Sequence, residues 1–259
     1  MANLFFLRVA LIISFVFIAP VASTQTPSTG KIPLTSAEAG TSIEVFRKFI
    51  NQLGSPHGYD DTILIDTSKS SGVSSDGLVS EGQSYGLLLG GTLVSTLKDK
   101  PGRESDFKYA VEETLAMFLG WKRLCMLTLL QRDDRFSDSY YKEYISGCDN
   151  GKLPCFPHWK FDKAVTKPLE LGWATDADED ALLGIILLVH GTASEKHAYP
   201  WWNQVARWAF DSVQAFMPLH ADFSREESGW VMLKPGSFGG WACNNQSYNA
   251  PVAYKVFRD

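Results

Sequence analysis

The chain has 259 residues, 45% of them hydrophobic, 13% aromatic and 20% charged, with a formal net charge of −5. Sixteen Phe, nine Tyr and eight Trp give more apolar surface than a disordered chain carries, and the acidic balance provides no footprint for nucleic-acid phosphates. The length suits one large domain or two small ones.

Residues 9–22 read VALIISFVFIAPVA, an uncharged run preceded by Arg8 and followed by small residues. That layout is a secretory signal over residues 1–23; about 20 apolar residues are needed to span a bilayer, and this run is shorter. With the signal removed, the chain is expected to be secreted, extracellular and free of the membrane. A Thr/Ser/Pro/Gly-rich leader follows over residues 24–36, and one domain is expected over residues 37–259.

Secretion makes disulfides available to Cys125, Cys148, Cys155 and Cys243, which allow three complete pairings. Cys148 and Cys155 bracket a turn-rich loop and make the best local pair. Cys125 lies in an apolar helical stretch and reads as a buried small hydrophobe. Neither the cysteine nor the histidine spacing matches a metal site, and no cofactor is implied.

Helical periodicity starts near Thr41-Ser-Ile-Glu44, which has the form of a capping box, with Ile43, Val45, Phe46, Phe49, Ile50 and Leu53 as the apolar stripe and Gly54 as the stop. Ser80-Glu-Gly-Gln83 reads as a second cap, before a run from Tyr85 to Leu97 that is apolar on most sides. Phe107, Val111, Thr114, Phe118, Trp121 and Cys125 share the face of a third helix. Thr175 opens a fourth, Asp176 to His190, whose body is apolar all round and so must be surrounded by protein. Pro200 is placed to start a fifth, carrying Trp201, Trp202 and Trp208 as packing residues. Ser247 to Phe257 can begin one more. Apolar helices alternating with amphipathic ones predict an all-α fold in two concentric layers.

Acids crowd the first turns of the two most apolar helices: Glu81 in one, and Asp176, Asp178, Glu179 and Asp180 in the other. Acids favour helix starts in general. Four in five positions repel one another, however, and capping does not require them. Gly82, Gly86, Gly90 and Gly91 are poor helix formers, which predicts close backbone packing or a cleft wall. Carboxylates at the mouth of an apolar helical core suit glycoside hydrolysis, which needs one protonated and one charged carboxyl. A helix start favours the charged form, so a proton donor there needs burial or nearby negative charge to hold its proton.

At these residues the sequence resembles glycoside hydrolase family 8, the endoglucanase, xylanase and chitosanase family. Ser80-Glu-Gly-Gln-Ser-Tyr-Gly86 resembles the block of its general acid, and Trp173-Ala-Thr-Asp-Ala-Asp-Glu-Asp180 resembles its signature. Gly236 to Gly240 and Ser247 to Phe257 are similar to a later segment. The resemblance implies an (α/α)6 barrel, here lacking its last helices, with the cleft at the N-terminal ends of the inner helices. It implies that Glu81 is the general acid and that Asp176 holds the sugar at the cleavage point, with Asp178 supporting the site. Tyr85, Trp159, Trp173 and Tyr248 are candidate sugar contacts, since ring faces stack on pyranose faces, and Gln83 and Asp178 are the polar members of the same substrate-binding set. The expected substrate is a β-1,4-linked polysaccharide, cellulose-type glucan first, cleaved with inversion by a monomer. The sequence departs from the family at Ala181, Leu182 and Thr192, which bear on packing, and has Phe238 where relatives often have Trp, with Trp241 just beyond. The family's general base, typically an Asp, falls after the segment ending at Phe257 and has no counterpart by motif. That leaves part of a longer enzyme (the favoured reading), a carbohydrate-binding relative without turnover, or a substitute acid.

Overall fold

A computed structural model describes residues 36–55, 61–69, 77–130, 156–237, 239–241 and 245–259. The expected signal and leader, the Cys148–Cys155 pair, Cys243 and Phe238 lie outside the described residues. The fold is all-α. Among the described residues there are six α-helices: α1 (Ser36–Leu53), α2 (Ser80–Leu97), α3 (Glu104–Leu130), α4 (Thr175–Gly191), α5 (Trp202–His220) and α6 (Pro251–Arg258). Short strands of two or three residues lie between them, too brief for an alternating pattern to register: β1 (Gly54–Ser55), β2 (Leu64–Ile65), β3 (Gly77–Val79), β4 (Lys160–Asp162), β5 (Pro168–Glu170), β6 (Ala221–Asp222) and β7 (Met232–Leu233).

The helices alternate between two layers. α2 and α4 are buried on most sides, whereas α1, α3 and α5 bury one face and expose the other. Inner helices flanked by outer ones are the arrangement of an α/α barrel, built here in part. The layers share one core, in which Phe46, Trp121, Leu87, Leu182, Ile185 and Phe216 are fully buried.

Glycines set the distance between α2 and α4. A Cβ on Gly91 would lie 2.1 Å from the Gly184 carbonyl oxygen, and one on Gly184 would lie 2.4 Å from the backbone of Leu87. Backbone therefore rests on backbone, as the glycine content of α2 predicts. Near their C-terminal ends Gly191 meets Val94, so the two helices run parallel and both N-termini lie at one end.

Two local expectations are corrected. Thr41-Ser-Ile-Glu44 is not a helix start: α1 already begins at Ser36, and the Thr41 and Ser42 hydroxyls donate to the carbonyls of Ala37 and Glu38 four residues back. Cys125 is fully buried but is no free thiol, because it is disulfide-bonded.

Candidate active site

The starts of α2 and α4 are positioned from outside, since neither has a side-chain cap; the flanking residues are Val79 and Ala174, both extended. Val79 ends β3, which pairs antiparallel with β4 (Leu78 opposite Phe161), and β4 pairs with β5. Just before β4, the Trp159 carbonyl accepts from Ser80 N–H, while Trp159 N–H donates to Gly172, each at 2.8 Å. One residue thus ties the start of α2 to the strand entering α4. From the other side, Ala174 bridges Gly236, and Ser237 N–H donates to Trp173.

This frame brings Glu81, Asp176 and Asp180 together. Asp176 is half-buried and its carboxyl is pushed up to about 6, first by burial and then by the charges of Glu81 and Asp180, against a hydrogen bond from Ala177 N–H. Asp180, one turn further along the same face, is raised by burial and by the charge of Glu81. The Tyr85 hydroxyl donates to Glu81 Oε1 at 2.5 Å; that bond, burial, and the charges of Glu81, Asp176 and Asp180 all hold its proton more tightly. Tyr85 is 47% exposed and Tyr248 half-buried. Burial raises the Tyr248 hydroxyl, and the charges of Asp176 and Glu81 raise it further, which puts it beside the same pair. Trp159 is half-buried at the edge, with Lys160 Nζ 5.6 Å from its ring centre.

The remaining acids of α4 point elsewhere. Asp178 is fully buried against His220 at the end of α5, with Oδ2 3.2 Å from Nε2. Glu179 accepts a hydrogen bond from the Tyr254 hydroxyl on α6, which in turn accepts from Ala250 N–H at 3.1 Å. Burial pushes Glu179 up to about 8, the Tyr254 bond opposing it. The crowding noted in the sequence is resolved by direction: 176 and 180 face Glu81, 178 faces α5 and 179 faces α6.

Two expected sugar contacts are occupied by the protein itself. Gln83 is 1% exposed; its Oε1 accepts from Ile65 N–H at 2.8 Å, and its amide donates to Ile63 and Met117 carbonyls at 2.9 and 2.7 Å. Trp173 is buried, edge-on to His220 at 5.7 Å, with Lys234 Nζ 5.5 Å from its ring centre. Asp178, likewise, is sealed from any ligand. Sequence reasoning had Asp180 only as a member of the acidic run; its spacing of four from Asp176 was the available signal. His220 carried no signal at all.

Among the described residues, no group of three His, Cys, Asp or Glu side chains is arranged to hold a metal ion, and no helix is long and apolar enough to cross a membrane.

No known family profile matches the chain, and no curated protein matches it. Among solved structures it is similar to the apo form of a β-1,3-1,4-glucanase from Paenibacillus sp. X4, at 15% identity and a TM-score of 0.48, over 87% of this chain and 51% of that one. It is also similar to the endo-β-1,4-glucanase CMCax from Acetobacter xylinum, at 18% identity and a TM-score of 0.41, over 78% of this chain and 45% of that one. The chain spans about half the length of these solved structures.

Proposed function

We propose that the chain is the glycoside-hydrolase portion of a secreted, monomeric endo-glycosidase acting on a β-1,4-linked glucan with inversion. The observation that carries this reading is the meeting of Glu81 and Asp176 at the starts of two parallel inner helices, beside exposed and half-buried rings. Glu81, half-buried and hydrogen-bonded to Tyr85, is the proton donor to the glycosidic oxygen. Asp176, with its proton affinity raised to about 6, grips the hydroxyls of the sugar undergoing cleavage when ionised. Tyr85, Tyr248 and Trp159 supply ring surface for the neighbouring sugars.

An inverting pair needs a water-activating carboxylate on the opposite sugar face, about 6.5–9.5 Å from the donor. Asp180 shares a helix face with Asp176 and sits on its side of the sugar, so the base comes from elsewhere.

Release of reducing ends from carboxymethylcellulose and mixed-linkage glucan tests the proposal. Glu81→Gln is expected to lower kcat by about 10²–10⁴-fold, the usual worth of a positioned proton donor, with oligosaccharide binding kept. The unsubstituted enzyme should show a limb of its pH profile near 6 that disappears in Asp176→Asn. Unchanged turnover in Glu81→Gln refutes the assignment, and sugar binding without release in the unsubstituted protein identifies the binding relative instead.

A further inference from the structure

We propose that His220 is a positioning residue for this site, holding the first turn of α4 through Thr175 and Asp178 so that Asp176 faces Glu81. The inference rests on reading Glu81 and Asp176 as the sugar-facing pair.

The direction of each hydrogen bond follows from hydrogen bookkeeping. The Thr175 hydroxyl, with one hydrogen, donates to the Lys234 carbonyl at 2.6 Å, because a carbonyl can only accept. Its 3.0 Å contact with His220 Nδ1 must therefore be donated by the ring. A neutral imidazole protonated at Nδ1 leaves Nε2 as an acceptor. Nε2 lies 3.2 Å from Asp178 Oδ2, a close polar contact outside hydrogen-bond geometry, and neither atom has a hydrogen-bond partner. With Nε2 bare, so close a contact avoids lone-pair repulsion only when the Asp178 carboxyl carries a proton. Full burial favours this neutral arrangement on both sides, raising Asp178 well above the carboxylate range and lowering His220 well below the imidazole range. The hydrogen bonds run one way, from His220 to Thr175 to the Lys234 carbonyl, with Asp178 resting against the far edge of the ring.

Both contacts on α4 come from residues 175 and 178, which share one helix face, so the ring grips the turn at two points. Asp176 and Asp180 project from the opposite side. The ring itself is held by Phe216, stacked at 4.4 Å, and by Phe156 and Trp173, edge-on at 4.9 and 5.7 Å. With no side-chain cap at Ala174, this grip replaces one. It also removes a negative charge from the middle of the acidic run.

The test compares Thr175→Val, which keeps the shape and deletes the hydroxyl, with Thr175→Ser, which restores it. Carboxyl-carbon NMR on the full chain follows Asp176, which faces Glu81, Asp180, Tyr85 and Tyr248. Its midpoint should stay near 6 in the unsubstituted protein and in Thr175→Ser, and fall toward 3.8 in Thr175→Val as the turn loosens and hydrates. On soluble glucan, Thr175→Val should lose kcat by about 10²-fold, the cost of a misplaced reacting group, with KM little changed and Thr175→Ser near normal. An unmoved midpoint or unmoved kcat in Thr175→Val, or equal losses in both variants, overturns the proposal. Should Thr175→Val not fold, imidazole nitrogen spectra of the unsubstituted protein decide: a His220 protonated at Nδ1 and silent between pH 5 and 8 supports the grip, and an Nε2-protonated or titrating ring refutes it. These spectra hold even when no glucan is cleaved, so failure of the hydrolase reading is seen separately.

Discussion

Replacing Gly184 with alanine adds one methyl group where α4 rests on α2. The new Cβ would lie 2.4 Å from the carbonyl carbon and oxygen of Leu87 and 2.6 Å from the nitrogen of Leu88, all backbone atoms that no rotamer change can move. Ordinary contact begins near 3.4 Å, so the helices must part by roughly 1 Å. Overpacking of this kind costs about 1–3 kcal/mol, and the better helix propensity of alanine returns at most about 1 kcal/mol. For a domain of this size, each kcal/mol moves Tm by about 2–4 °C, giving a net fall of several degrees by calorimetry. The same displacement separates Glu81 from Asp176, so kcat on soluble glucan should drop by more than the stability loss accounts for at a temperature where the variant is fully folded. A Gly184→Ala variant with unaltered Tm and turnover would show that the two backbones are not in contact, and the account of the fold would fall with it.

Replacing Gln83 by leucine strands the Ile65 N–H and the Ile63 carbonyl in the core and takes a second donor from the Met117 carbonyl within α3. At about 1–3 kcal/mol for each buried group left unpaired, urea unfolding should shift by several kcal/mol, with little change in sugar affinity for the folded fraction. Glu179 holds its proton more tightly folded, to about 8, than its ordinary value of 4.5. Below 4.5 both states are protonated and the contribution is full; it is lost as pH rises toward 8, because ionising Glu179 costs more in the folded state. Glu179→Gln should flatten stability against pH across that window, read by thermal melts. Cys125→Ala removes a disulfide whose typical worth is about 2–4 kcal/mol, so its Tm should fall, and added reductant should lower the parent by more than the variant.

Much of the helical architecture was legible because burial leaves a compositional trace. α2 and α4 read as inner helices from their all-round apolar bodies, and the glycines of α2 marked the tight approach. The start of α1 was misplaced because a Ser/Thr-rich stretch looks the same whether its hydroxyls cap a helix or fold back onto carbonyls four residues earlier. The three-stranded sheet was hidden: one of its pairs joins β3 to β4, some eighty residues further along, and two or three residues carry no period. Within the site, the approach of Glu81 to Asp176 followed from both lying at inner helix starts. The inward turn of Gln83 and Trp173 did not, since an amide or an indole reads alike whether its partner is a ligand or the Ile63 carbonyl and the His220 ring. His220 is an unremarked residue at the end of an apolar helix until α5 is laid beside α4.

Because main chain touches main chain at Gly91 and Gly184, α2 and α4 have no side-chain cushion to compress and must move as one body. On the proposed reading, room for a polymer is then set by what lies beside those starts, residues 234–237 against Trp173 to Thr175 and the turn carrying Tyr248.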